Sequence, residues 1–519
     1  MMNGDEKSYD GQIVRTEAEK RLYIAITILG LGLILISVLF MIGEAFFINA
    51  SLIEILSWQK RIVILLVRTI TLAISASATA LIFGFILAAA MRFWPAGQKV
   101  LFLLLLLAFP IPPYVHTAGW SLALQALGAS GYGILVAWWC MTVSLLSFSA
   151  LISYAILNSI DEEILEAAAL GANGPHCLVQ VILPLAMPLL VASFLFIFCL
   201  NLMDYTIPSL CQVNVYSLHL FADFSIFAQA GRTLLLSLPL FLAGLPLLLL
   251  AGRGMKKFGV TIRTGQRSEL NLEWPASYKI AAGFSFLVFI SVLGIPLVNL
   301  IIQVWTSGIT VHLFNFGTSL AYSLIIAAFV AMLSVLIGYP VAVLISEYPR
   351  WGTILWPLLL LPWLIPASLN GAGWIAAAQT IPYFSGTSLL LILGELARFL
   401  SVAVLLIWGF YLRLDYEVVN AGRLFSPCWL YALWKVELPL LAPGILAGSL
   451  IVAALTLGEL GTTILLVPPG FETLTLRIYN YMHYGAHDHV AAACLAMMIL
   501  TMFLGWAAAV SLRISRAGN

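Results

Sequence analysis

About twelve times along its length this chain runs through roughly 20 or more residues with hardly a charge, enough for a helix to cross a hydrocarbon core of about 30 Å. The runs fall near 22–46, 62–91, 100–120, 131–157, 184–205, 233–251, 280–304, 318–346, 353–377, 389–412, 439–467 and 489–512. Lipid offers no partner to a free backbone N–H or C=O, so only helices and closed barrels span it. None of the runs alternates with the period of two that a barrel strand needs. The expected fold is therefore an all-α polytopic membrane protein of about twelve transmembrane helices. A chain that is 62% hydrophobic and 9% charged, with a mean hydropathy of +1.04, is outside the soluble class. Membrane lipid is its expected surroundings, and a net charge of +1 gives no footprint for nucleic acid.

Lys and Arg set the expected orientation. With both termini in the cytoplasm, only Lys60, Arg61, Arg232 and Arg477 fall outside, and Arg68 and Arg398 lie within spans. The positive-inside rule prefers that arrangement. No small-residue cleavage site follows the first apolar run, so an uncleaved first span is expected. The six cysteines lack metal-ligand spacing and are expected to pack as small apolar residues, with Cys211 toward the outer side and without an evident partner.

The chain repeats itself. Gly84 matches Gly338, Pro112 matches Pro366, and Gly119-Trp120 matches Gly373-Trp374, each 254 residues on. Six spans per repeat give both copies the same topology, related by an axis along the membrane normal. The expected organisation is a cytoplasmic tail (1–21), a first six-helix half (22–251), a basic cytoplasmic linker (252–279), a second half (280–512) and a short tail (513–519).

One repeated element lies between spans. Glu166-Ala167-Ala168, then Gly171 and Leu183-Pro184, corresponds to Asn420-Ala421-Gly422, then Ser426 and Leu438-Pro439. Both copies fall in the loop after the fourth span of their half, at 158–182 and 413–438. Small residues allow close backbone approach, the acidic cluster Asp161, Glu162, Glu163 and Glu166 suits a helix N-terminus, and each Leu-Pro is expected to begin the next span. No residue of either copy suggests catalysis.

This element is similar to the EAA loop of bacterial ABC-importer permeases, and two copies in one twelve-span chain resemble the fused permeases of ferric-iron, thiamine and related importers. In the first copy Gly171, Val181, Leu183 and Pro184 sit at the family spacing, whereas Glu166 comes one residue late, with Leu165 at the usual glutamate position. In the second, Asn420, Ala421, Gly422 and Ser426 replace the glutamate, two alanines and glycine, and Leu438-Pro439 is unchanged. The resemblance implies a transport subunit in a bacterial inner membrane that carries no cofactor or metal and works by alternating access. It also implies partners: an ATP-binding subunit, as a dimer, and a periplasmic or lipid-anchored solute-binding protein. The sequence has no G-x-x-x-x-G-K-[ST] phosphate loop, so ATP hydrolysis is expected in that separate subunit.

Intramembrane charges are candidates for the solute pathway, because each costs about 2.5–3.5 kcal/mol to insert. Asp204 and Glu459 each follow their Leu-Pro by 20 residues and are symmetry mates, either lining a cation path or capping broken helices. Glu395 and Arg398, at i and i+3, are expected to neutralise each other, and Arg68 to reach the outer interface. His483, His487, Asp488 and His489 have helical spacing but read as interfacial chemistry beside Tyr479, Tyr481 and Tyr484. The run from Gly458 through Pro468-Pro469-Gly470 to Glu472-Thr473-Leu474 is similar to ferric-iron permeases. Ferric iron is the leading expected solute, with thiamine, polyamine and phosphonate as alternatives. A twelve-span ion-coupled secondary transporter remains open, and so does a membrane enzyme.

Overall fold

In the computed structural model the described residues are 13–47, 60–93, 98–160, 162–171, 174–264, 276–307, 316–484 and 487–517. Asp161, most of the amino-terminal tail and residues 265–275 of the expected linker lie outside them.

The described residues contain helices and no strand. In the first half they are α1 (Glu17–Phe46), α2 (Lys60–Phe93), α3 (Gln98–Ala108), α4 (Pro113–Ala126), α5 (Ile134–Leu157), α6 (Glu162–Gly171), α7 (Gly174–Met203), α8 (Thr206–Leu210), α9 (Tyr216–Phe227) and α10 (Ala230–Thr264). The second begins with α11 (Ala276–Ser307), α12 (Gly317–Glu347), α13 (Pro349–Leu364), α14 (Ala367–Thr380) and α15 (Ser388–Tyr411). It continues with α16 (Tyr416–Leu424), α17 (Trp429–Gly458), α18 (Thr463–Leu466), α19 (Leu474–Tyr484) and α20 (His487–Ala517). Ten are long and apolar enough to cross a membrane, and two bent pairs bring the number to twelve if each pair is one span.

Those pairs depart from the continuous spans expected at 100–120 and 353–377. Helix α3 meets α4 at 98°, and α13 meets α14 at 100°. Proline causes both breaks: it donates no N–H and drives the preceding residue out of helical conformation. Pro112 and Pro366 stand at the N-caps of α4 and α14, and Ile365 before the second is extended, at φ −100° and ψ 124°.

The Leu-Pro pairs also behave differently from expectation. Helices α7 and α17 begin well before Pro184 and Pro439, at Gly174 and Trp429, so the prolines sit inside them. Each helix widens to a π-turn just upstream, at Leu178–Ile182 and Leu433–Glu437, where the Leu183 N–H reaches the Leu178 carbonyl and the Leu438 N–H the Leu433 carbonyl. A helix that must absorb a proline without breaking takes up the missing bond by such a bulge. At the other end α7 ends at Met203, close to expectation, whereas the expected span 439–467 ends at Gly458, and an extended Glu459 and a turn lead into short α18.

The halves exchange their first helices. Helix α1 packs on α12, α14 and α15 of the second half, while α11 packs on α2, α4 and α5 of the first. The repeated glycines mark these crossings. A Cβ on Gly119 would stand 2.4 Å from Pro296 Cα of α11, and one on Gly373 would stand 2.5 Å from the Ser37 carbonyl oxygen of α1. Only glycine lets the backbones come this close.

Candidate functional site: two matching loops and a charged centre

Helices α6 and α16 each precede a π-turn. In α6, Leu165 is buried while Glu163, Ile164, Glu166 and Ala167 are exposed. In α16, Val419 takes the buried place. Matching these two inward residues sets Glu166 opposite Asn420, Ala167 opposite Ala421 and Ala168 opposite Gly422. Leu165 is thus an inward packing residue rather than a stand-in for the glutamate, and the one-residue difference lies between Glu166 and Gly171. Asp415 caps α16, accepting from the Glu417 N–H at 2.9 Å and the Val418 N–H at 3.3 Å. Gly422 leaves room for Val436 of the π-turn, whose Cγ2 would be 2.8 Å from an added Cβ, and the Ser426 hydroxyl donates to the Gly422 carbonyl at 2.7 Å. At the end of α16, Leu424 and the C-cap Phe425 are 81% and 86% exposed. The short helix is thus firmly rooted on one side and holds two apolar side chains in the open.

The roots of the two loops differ in chemistry. Under α6 lies an apolar core among the described residues: Phe93, Leu157, Leu165 and Ile182 share one cluster, with Phe85 against it. Under α16 lies a buried polar network. Arg15 Nε donates to Glu347 Oε1 at 2.6 Å, its Nη2 reaches the Tyr411 hydroxyl at 2.9 Å and Glu437 Oε2 at 3.1 Å, and its Nη1 pairs with Glu19. Arg423 holds Glu19 in two-pronged fashion, at 2.6 and 3.0 Å, and donates through Nε to Glu437 Oε1 at 2.6 Å. The Tyr339 hydroxyl donates to Glu437 Oε2 at 2.7 Å and the Tyr411 hydroxyl to Glu347 Oε1 at 2.6 Å. Burial disfavours the charge on Arg15, but Tyr411, Tyr339, Glu437 and Glu347 outweigh it and hold its pKa above the ordinary arginine value. Sequence reading missed this network because Arg15, Glu347 and Glu437 each look like loop-end charges. These contacts place residues 13–19 and the second loop on one side of the membrane.

At the C-terminal ends of α7 and α17, away from the loops, the symmetry mates adopt the same backbone, φ −77° and ψ 125° at Asp204 and φ −77° and ψ 124° at Glu459. Asp204 Oδ1 accepts from the Thr206 N–H at 2.8 Å, and Glu459 Oε1 from the Thr462 N–H at 3.1 Å. Asp204 thus takes up the first N–H of α8, and Glu459 the N–H of Thr462, the residue before α18. Glu459 does more: its Oε2 meets Arg398 Nε at 3.4 Å. The expected Glu395–Arg398 pair is replaced by this one, because the break after Gly458 brings Glu459 up to the guanidinium. Glu395 Oε1 instead lies 2.8 Å from the Thr463 hydroxyl, while its Oε2 is buried without a hydrogen-bond partner, as are Arg398 Nε and Nη1. Arg398 also lies over the Trp363 ring, 5.3 Å from its centroid. Tyr205, stacked on Phe221, has a buried hydroxyl with no partner, and its ring and Glu459 Oε1 both approach Gly461.

The remaining candidates are peripheral. Arg68 Nη1 donates to the Asn214 carbonyl at 3.3 Å at an exposed helix end beside Lys60 and Arg61. His483 lies on Tyr479 and His489 on Tyr481, while the side chains of His487 and Asp488 lie outside the described residues. Among the described residues no three His, Cys, Asp or Glu side chains gather as for a metal. Cys140 and Cys211 share one buried apolar cluster, and Cys428 is exposed.

A many-spanning helical bundle with two matching loops on proline-centred π-turns, and a buried charged centre where two helices break, defines a membrane transport subunit. Residues 80–253 match the family described as binding-protein-dependent transport system inner membrane component. The molybdenum transport system permease protein ModB of Mycobacterium tuberculosis is 31% identical over 204 residues, 36% of this chain and 75% of that relative. The chain belongs to this family of ABC-importer permeases. Two further relatives are the putative 2-aminoethylphosphonate transport system permease protein PhnV of Salmonella typhimurium, 25% identical over 44% of this chain and 91% of its own length, and the Fe(3+)-transport system permease protein FbpB 2 of Haemophilus influenzae, 23% identical over 70% and 73%.

Proposed function

We propose that this chain is the permease of an ATP-driven importer in which 158–182 and 413–438 are cytoplasmic coupling loops, each receiving one of two separate ATP-binding subunits. A solute-binding protein would deliver the cargo to the opposite face, and both chain termini would be cytoplasmic. The observation that carries this reading is the pair of exposed apolar side chains, Leu424 and Phe425, held out by a helix whose other face is locked into the bundle. ATP-driven closure of the partner dimer would press on α6 and α16. The π-turns, continuous with α7 and α17, would carry that displacement to the helix breaks at Asp204 and Glu459. The two six-helix halves, 22–251 and 280–512, would then rock about the charged centre.

Affinity purification of the full chain from its native membrane tests the docking. A nucleotide-hydrolysing subunit should co-purify, and both Phe425→Asp and Gly171→Arg should release it. A chain purified alone that supports proton- or sodium-driven uptake in vesicles would reject the ABC reading.

Ferric iron is the proposed cargo, supported by the relative whose alignment runs through 70% of this chain and so through parts of both halves. The carboxylates of Asp204, Glu395 and Glu459 suit a hard cation in transit. A second reading has its own observation: the buried, incompletely bonded guanidinium of Arg398 suits an oxyanion, the chemistry of the molybdenum and phosphonate relatives. Cellular uptake of labelled ferric iron, molybdate and 2-aminoethylphosphonate, with and without the gene, separates the two.

A further inference from the structure

We propose that Ile13–Thr16 is a latch that positions the second loop, with Arg15 as its principal positioning residue, so that α16 moves as one body with α1, α12 and α15. The inference rests on 413–438 being a coupling loop.

Each residue of the segment is tied down in a different way. Ile13 is buried in the apolar cluster that also holds Tyr339, Leu344, Tyr411 and Val419. Val14 uses only its backbone: its N–H donates to Asn420 Oδ1 at 2.9 Å, and its carbonyl accepts from Arg423 Nη1 at 3.1 Å. The Arg15 guanidinium is enclosed by Glu19, Glu347, Glu437 and Tyr411, from α1, α12, the π-turn of α17 and α15. Thr16 accepts from the Glu19 N–H at 3.3 Å and so starts α1 next to the segment.

Two of these contacts fall on Asn420 and Arg423. Asn420 stands where the first loop has Glu166, so the second loop's departure from the pattern coincides with the residue that takes up the Val14 amide. Four members of the network have apolar counterparts in the first half. Tyr339, Glu347 and Tyr411 correspond to Phe85, Phe93 and Leu157, 254 residues earlier, and Glu437 before its Leu-Pro corresponds to Ile182. Apolar contacts can slide and repack, whereas a buried network of ion pairs that includes the two-pronged Arg423–Glu19 pair is either formed or broken. The second loop is thereby geared to three membrane helices without slack.

The test uses the full chain in lipid nanodiscs, alone and in complex with its ATP-binding subunits, as wild type, Arg15→Gln and Asn420→Ala. Asn420→Ala removes the acceptor of the Val14 amide and strands no buried charge, so it reports even if Arg15→Gln does not fold. Amide hydrogen exchange over 416–424 should quicken about tenfold in Arg15→Gln and severalfold in Asn420→Ala, with 162–171 unchanged in both. In the complex, kcat for ATP should fall while KM for ATP stays constant, because the nucleotide site itself is untouched. Unchanged exchange over 416–424, equal quickening in both loops, or an unchanged kcat would each overturn the latch. Phe425→Asp is the separate control: if it fails to release the ATP-binding subunits, the coupling-loop reading falls, whatever the exchange experiment shows.

Discussion

At the scale of single residues, buried charge is used for two different purposes. Arg398 is flanked by Glu459 and Glu395, so Arg398→Met would strand carboxylates in the bundle and should cost about 3–5 kcal/mol, read as a large drop in thermal unfolding temperature in detergent. Asp204 and Glu459 are acceptors first. Asn keeps an oxygen in place, so Asp204→Asn should shift stability by no more than about 1 kcal/mol, whereas Glu459→Gln keeps the oxygen but removes the charge opposite Arg398 and should cost more, up to about 3 kcal/mol. If these carboxylates meet a cationic cargo, the double variant should nonetheless lose most uptake. Full uptake of ferric iron by a stable double variant would leave the two residues with structural roles alone.

At the scale of elements, the proline-bearing π-turn is the part that joins a loop to a span. Pro439→Ala restores an N–H and lets the five residues Leu433–Glu437 return to α-helical hydrogen bonding. Glu437 would then rotate away from Arg15, Arg423 and Tyr339. Transport per ATP hydrolysed should fall severalfold while the helices still insert, measured as uptake against ATP consumption in proteoliposomes. The close crossings predict a different outcome. Gly373→Ala drives a Cβ into the Ser37 carbonyl, a backbone atom that cannot turn aside, and should cost about 1–3 kcal/mol without any specific effect on ATP hydrolysis.

At the scale of the whole molecule, the exchange of first helices ties the halves together. Residues 1–264 expressed alone would leave α2, α4 and α5 without α11 and leave α1 without α12, α14 and α15. Such a fragment should be degraded, and co-expression with 265–519 should restore both, as measured by the amount of each fragment in membranes. Two separately folded bundles joined by a linker would show no such dependence.

What the sequence alone determined follows from local rules. Length and apolarity made the spans legible, because lipid imposes one backbone solution on any long uncharged run. The 254-residue repeat exposed the two loops, and Asp204 and Glu459 were paired by counting from their prolines. The same local rules missed the breaks in the third and ninth spans and the π-turns, since a proline within an apolar run fits a helix start, a kink or a bulge equally well, and packing chooses among them. Arg398 taking Glu459 rather than Glu395 depended on a contact about 60 residues apart in sequence, and Arg15 joining four elements depended on contacts hundreds of residues apart. A buried charge chooses its partner by three-dimensional proximity at low dielectric, and only the assembled bundle sets that proximity.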